Sequence, residues 1–311
     1  MDDIKNIIKG AYDLHLHTGP DVLPRKFDDI DMAKRCIDSG MAGFAIKNHF
    51  ASSAGRAALV RKLYPEVDAI GMLWMNTAAG GLSPVAVELA ALAGAKIIGF
   101  PTTDTERSIK RALDPNTEKP SFWRGIVVDL ANAGFTIKPV KVTDDEGKLL
   151  PEVYDVLSVI AKHRLVLATG HLLPKDTAPL LKAAKESGVE RIILTHVMGS
   201  SNSHTVDEQK KLLGYGAKME HTTGSFKKGK VPVESVIESI KAIGPQHCIL
   251  STDLGQPKNG YPDEDMVEIC ALLIENGIPY EEVRKMVVDN PRDLVGNGCG
   301  AGAAGSSNEE E

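Results

Sequence analysis

The chain is short of the features that mark secreted, membrane-embedded or nucleic-acid-binding proteins. Its four cysteines, Cys36, Cys248, Cys270 and Cys299, are widely spaced and form no paired motif. Neither a disulfide framework nor a cysteine metal cluster is indicated, and a reducing, cytoplasmic setting is expected. No run of about 18 apolar residues exists to span a bilayer, and Met1-Asp2-Asp3-Ile4-Lys5 lacks the basic start and apolar stretch of a signal peptide. Basic clusters are scarce as well. The densest, Lys227-Lys228-Gly229-Lys230, is too short for the electrostatic footprint of a nucleic-acid or membrane binder and reads as a solvated loop. Of the net charge of -6, three units sit together at Glu309, Glu310 and Glu311, so the rest of the chain is only mildly acidic.

What is present is an ordinary globular composition, 42% hydrophobic and 25% charged over 311 residues, able to bury a sizeable core. Eight short apolar or β-branched runs, at 12–17, 43–47, 68–75, 96–100, 165–169, 191–195, 218–221 and 248–252, alternate with segments of helical period. The helices are expected at 28–39, 84–93, 151–163, 176–187, 233–243 and 262–276, several closing on glycine, as at Ser39-Gly40 and Asn276-Gly277. Eight βα units predict one (β/α)8 TIM barrel over residues 1–296, with its active site at the carboxyl ends of the strands. The stretch from Pro101 to Arg164 is too long for one crossover helix, and predicts an inserted helix over 122–132 and a hairpin over 136–149 after the fourth strand. Such an insertion over a barrel mouth is either a lid or a decoration. Residues 297–311, rich in glycine and ending in glutamate, are expected to form a disordered tail.

The strand ends carry the chemistry. Asp13-Leu14-His15-Leu16-His17 ends the first, and strand side chains alternate, so His15 and His17 share a face. Lys47 and His49 do the same on the second strand; His171 and His196 follow the fifth and sixth, and Asp253 ends the eighth. Neutral imidazole and carboxylate are the ligands of a catalytic divalent ion that keeps one position open. His49 reads either as a ligand or as a substrate contact. Lys47 reads as the partner of a substrate carboxylate or phosphate, as a structural ion pair, or as a carboxylated bridging ligand. Arg56, near a helix start, is a candidate for an anionic part of the substrate, and His221 and Asn76, at the ends of the seventh and third strands, are candidates for substrate contact.

His-x-His on the first strand, single histidines after the fifth and sixth and an aspartate after the eighth resemble the amidohydrolase superfamily of metal-dependent hydrolases. Asn290-Pro291-Arg292-Asp293-Leu294-Val295 is similar to the segment that closes those barrels. The resemblance implies His15 and His17 on one metal, His171 and His196 on a second or near the first, and Asp253 as ligand and proton acceptor for the attacking water. It also implies a homo-oligomer acting on a small molecule. Many two-metal members bridge their ions with a carboxylated lysine after strand four, but strand four here ends Ile97-Ile98-Gly99-Phe100 without one. The opening Asp13-Leu14-His15-Leu16-His17-Thr18, with Lys47-Asn48-His49, also resembles the polymerase and histidinol phosphatase family of metal phosphoesterases, whose barrel is expected to have seven strands. The expected activity is hydrolysis of an amide, lactam or ester bond of a small anionic substrate with one or two divalent ions, zinc foremost and manganese, iron or nickel compatible. Phosphoester hydrolysis, metal-assisted decarboxylation or hydration, and non-catalytic binding are the alternatives.

Overall fold

Eight parallel strands run in sequence order around a single sheet: β1 Tyr12–Leu16, β2 Gly43–Ile46, β3 Asp68–Trp74, β4 Ala95–Gly99, β5 Val166–Ala168, β6 Arg191–Leu194, β7 Ala217–Thr222 and β8 Cys248–Ser251. The structure, a computed structural model, describes residues 2–118, 121–199, 201–223, 227, 231–296 and 298–300. The sheet closes between β8 and β1, where Asp253 N donates to His15 O at 2.7 Å, His17 N to Leu254 O at 2.8 Å, and Leu16 bridges Leu254. This is the expected (β/α)8 barrel. Among the described residues no helix is long and apolar enough to cross a membrane.

Alternation along the strands sorts the core into two layers. Ala45, Ile70, Ile97, Val166, Ile193 and Ile249 fill the barrel interior, while Phe44, Ala69, Ile98, Leu167, Ile192 and Leu250 pack outward against the helices. β1 departs from simple alternation. Its register against β2 shifts between Asp13 and Leu16, so Leu14 lies in the interior cluster and Leu16 in the outer layer. Asp13 becomes a clamp on the closing seam: its carboxylate accepts from Thr252 Oγ1 at 2.5 Å, Thr252 N at 3.1 Å and His15 N at 3.1 Å.

The helices begin where the sequence supplies caps. Asp28 and Asp31 form a capping box on Asp29–Ser39, Thr205 and Glu208 another on Val206–Leu213, and proline opens Pro84–Leu92, Pro151–Lys162, Pro174–Glu186 and Pro262–Glu275. The insertion holds two helices, Glu106–Leu113 and Arg124–Asn132. The expected hairpin shrinks to a bridge between Thr143 and Leu149. The Asp144 side chain takes the N–H groups of Glu146 and Lys148, so a side chain satisfies donors that a ladder would otherwise use.

Of the expected tail, residues 297 and 301–311 lie outside the described residues, but Gly298, Cys299 and Gly300 form a turn. Cys299 is buried with Leu294 and Val295 in the interior cluster, its Sγ 3.6 Å from Lys96 O. The expected basic loop lies outside the described residues except for Lys227, which pairs with Asp265 at 3.1 Å and with Glu268.

Candidate metal centre

His15, His17 and Asp253 meet at the carboxyl end of the barrel, one ligand atom from each within 4.8 Å of the others. Asp253 Oδ1 lies 3.3 Å from His15 Nε2 and 3.5 Å from His17 Nε2. Asp253 keeps a positive φ of 54°, and the following Gly255 passes so close to His17 that a Cβ there would sit 1.8 Å from His17 O. Around this triad the other rings gather: His49 with its centroid 5.0 Å from that of His17, His196 5.6 Å from His15, and His171 4.9 Å from His196. Thus the six residues expected as ligands do converge. The tight cluster that suits one divalent ion is the His15, His17 and Asp253 triad.

Hydrogen bonds fix which nitrogen each ring can offer. Asn202 Nδ2 donates to Thr195 O and Gly170 O, so its Oδ1 accepts and His196 Nδ1 carries the hydrogen of their 2.9 Å contact. His15 Nδ1 donates to the buried carboxylate of Glu220 at 2.9 Å. Both rings therefore turn Nε2 toward the centre, the support that orients metal-ligating imidazoles. His49 differs. Its Nδ1 lies 2.8 Å from Thr102 Oγ1, which also accepts from Asn76 Nδ2; a hydroxyl with one hydrogen and two lone pairs serves either tautomer of His49.

Burial, with Arg25 behind it, brings His17 down to about 3; burial with the adjoining His15 brings His196 to about 4. Burial also takes His49 and His171 well below the ordinary range. These rings are neutral at pH 7, the form in which imidazole binds a metal. His15 is the exception: burial and Lys47 push it down, but Glu220 and Asp253 outweigh them and hold it at about 9. Burial would raise Asp253 and Glu220, yet His15 beside both keeps each below the usual carboxylate range. Lys47 Nζ lies 2.7 Å from His15 Nε2 and 4.2 Å from the Trp74 ring centroid, and burial brings it to about 8. An ammonium and an imidazolium cannot both donate into that contact, so the two nitrogens share one proton.

The three expected substrate contacts find other employment. Asn76 is 1% exposed and spends its amide inside the chain: Nδ2 on His49 O and Thr102 Oγ1, Oδ1 on Thr102 N and Asp104 N. Arg56 gives Nε and Nη2 to Asp29 at 2.8 Å each and reaches Thr18 and Gly19 at 3.0 Å. It ties the β1 loop to a helix start rather than facing the centre. His221 lies on the wrong face of β7. Ala217 and Met219 pack in the outer layer and Glu220 turns inward to His15, so His221 faces outward, beside Val231 and Val236.

Three residues near the centre escaped the sequence reading. Glu220 could have been found, as a lone acid inside an apolar strand. Arg25, on the loop after β1, and Trp123, before the inserted helix, sit in segments without periodicity. The Trp123 ring lies 5.7 Å from both His49 and His171, roofing the centre. A cavity of ≈ 780 Å³ between Glu106–Leu113, Val140–Asp145 and His171–Asp176 opens onto His171.

A family model described as a family of unknown function, DUF6282, matches residues 10–220, more than half of the chain. The chain belongs to the DUF6282 family. No curated protein matches it in sequence. Among solved structures, the DUF6282 chain is similar to an amidohydrolase from Pseudomonas aeruginosa, with TM-score 0.64 and 10% identity over 96% of this chain and 99% of that one. It is also similar to a phosphotriesterase homology protein from Escherichia coli, solved with phosphate in its active site (TM-score 0.56, 14% identity, 93% and 99% covered). A lactonase from Listeria monocytogenes follows at TM-score 0.54 and 15% identity, with 93% and 95% covered. The fold is the amidohydrolase-type barrel, and the DUF6282 chain carries in it a His/His/Asp triad suited to a metal ion.

Proposed function

We propose that the protein is a metal-dependent hydrolase acting on an amide, lactam or ester bond of a small molecule. The observation that carries this reading is the His15, His17 and Asp253 triad, converging within 4.8 Å at the mouth of an amidohydrolase-type barrel. The residues fit a divalent ion on their chemistry: a neutral imidazole at His17, an imidazole at His15 that shares its Nε2 proton with Lys47, a carboxylate held ionised, and Glu220 and Asn202 fixing the orientations of His15 and His196. Zinc suits two nitrogens and one oxygen best, and His171 with His196 offers donors for a second ion. A bound ion of this kind supplies Lewis-acid chemistry, making water nucleophilic near neutral pH and polarising the scissile carbonyl.

Asp253 performs the proton transfers. Its Oδ1 faces the two histidines, Oδ2 makes no hydrogen bond among the described residues, and its side chain keeps 29% exposure toward the mouth. Oδ2 takes the proton of the attacking water and returns it to the leaving nitrogen or oxygen. Lys47 supplies a positive charge at the floor of the site. Eight strands rather than seven weigh against the phosphoesterase alternative.

Elemental analysis joined to a panel of amides, lactams and lactones tests this. One or two equivalents of transition metal are expected, with turnover lost on chelation. Asp253→Asn should lower kcat at least about 1000-fold with an unchanged melting profile. Near-normal turnover in that variant removes Asp253 from its role, and a protein that neither holds nor rebinds zinc or manganese ends the proposal.

A further inference from the structure

The mouth of the barrel holds buried donors that lack a hydrogen-bond acceptor among the described residues. Arg25 has a side chain only 2% exposed, and of its five N–H groups one makes a hydrogen bond, Nε to Asp21 Oδ2 at 2.8 Å. Nη2 lies 2.7 Å from the same oxygen without hydrogen-bond geometry and is buried without another partner. Trp123 Nε1 is likewise buried and unpartnered. The segment that carries Trp123 reaches Arg25: the guanidinium lies 5.7 Å from the ring of Phe122, the residue before Trp123. Trp123 in turn covers His49 and His171. Guanidinium and indole nitrogens can only donate, so what completes them is a group that only accepts.

We propose that Arg25 and Trp123 form the subsite for a carboxylate, so that the substrates are small monocarboxylic acids carrying the scissile amide, lactam or ester. The subsite rests on the hydrolase reading and narrows it. With one divalent ion bound, charge selects a carboxylate over a phosphate dianion: Arg25, that ion and the one proton that Lys47 and His15 share face Asp21, Glu220 and Asp253, which leaves a single positive charge for the ligand. Asp21, by holding Nε, fixes the direction in which the rest of the fork points. The loop that carries Arg25 is itself pinned to the far side of the centre by Lys26 N to Gly255 O at 2.9 Å. The cavity beside His171 has room for the remainder of a small substrate.

Calorimetric binding to the zinc-loaded protein, without turnover, reads the subsite directly. The probes are N-acetylglycine, its uncharged twin N-acetylglycinamide, and inorganic phosphate. The acid is expected to bind about 10- to 100-fold more tightly than the amide. Arg25→Gln should bring the acid down to the level of the amide, Arg25→Lys should restore part of the preference, and Trp123→Phe, which keeps the ring and loses the N–H, should weaken the acid several-fold. Equal binding of acid and amide by the wild type overturns the subsite, as does a preference that survives in a folded Arg25→Gln variant. Phosphate binding more tightly than the acid overturns it in favour of a phosphorylated ligand. If Arg25→Gln fails to fold, the lysine and phenylalanine variants carry the test. Carboxylate preference without hydrolysis would sink only the hydrolase reading, and hydrolysis without that preference only the subsite.

Discussion

The two ends of the barrel treat polar groups in opposite ways. At the amino-terminal end, Asn290 donates to Pro245 O at 2.8 Å and Cys248 O at 2.7 Å, Lys96 is held by Asp68 and Val295 O, and Leu294, Val295 and Cys299 plug the interior. Every buried side-chain nitrogen or oxygen without a partner among the described residues lies instead at a carboxyl strand end or in the segments that follow it, from His17 and Arg25 to Trp123, His171 and Ser251. Native chains leave few such groups, and where they cluster the missing partners are ligands or ions. Of the three non-glycine residues with positive φ among the described residues, His196 and Asp253 stand at the same end and Arg164 precedes β5 at the other. One end is therefore built for stability and the other for binding, within a single core.

The comparison can be broken at either end. The largest effect is expected at the plug: Leu294→Ala, at a side chain 4% exposed, should cost about 2–5 kcal/mol in urea unfolding and leave zinc affinity and kcat as they were. A matching loss of metal would show that the two ends are not independent. Glu220→Gln attacks the other end. Removing the carboxylate behind His15 should lower zinc affinity about 10- to 100-fold, measured by chelator competition, with little change in unfolding.

His221 sharpens the contrast further, because it lies at the mouth end but outside the barrel. Burial depresses it to about 4 in the folded chain, against 6.5 when unfolded, so below pH 6.5 the unfolded chain binds the extra proton. Stability contributed by the neutral ring is complete above pH 6.5 and is lost as pH falls toward 4. His221→Leu should therefore remove about 2 kcal/mol of the destabilisation between pH 7 and pH 5 in zinc-loaded protein, seen as a difference of urea titrations. An unchanged pH slope would show that the ring titrates normally.

The barrel was legible because eight apolar runs and their capped helices carry opposite periods, and strand and helix ends fell within about two residues of their expected places. The histidines around the centre and Asp253 were legible because each ends a run. Parity failed at β7, where Glu220 and not His221 faces inward, since both faces of a buried strand are apolar and the sequence does not say which acid or imidazole turns in. Asn76 and Arg56 look like free polar groups in sequence, and only tertiary contact shows the Asn76 amide spent and Arg56 turned to Asp29, Thr18 and Gly19. Arg25 and Trp123 come from irregular segments whose approach to the centre no local pattern encodes.

Gly99 faces the barrel interior at the end of the fourth strand, and a Cβ there would meet the Trp74 ring at 2.2 Å. The indole thus fills the room that a side chain at position 99 would need, and the Lys47 ammonium lies over its face, 4.2 Å from the ring centroid. Positions 74 and 99 can then change only as a pair. A lysine at 99 alone collides with the ring, and a smaller residue at 74 alone opens a void over Lys47.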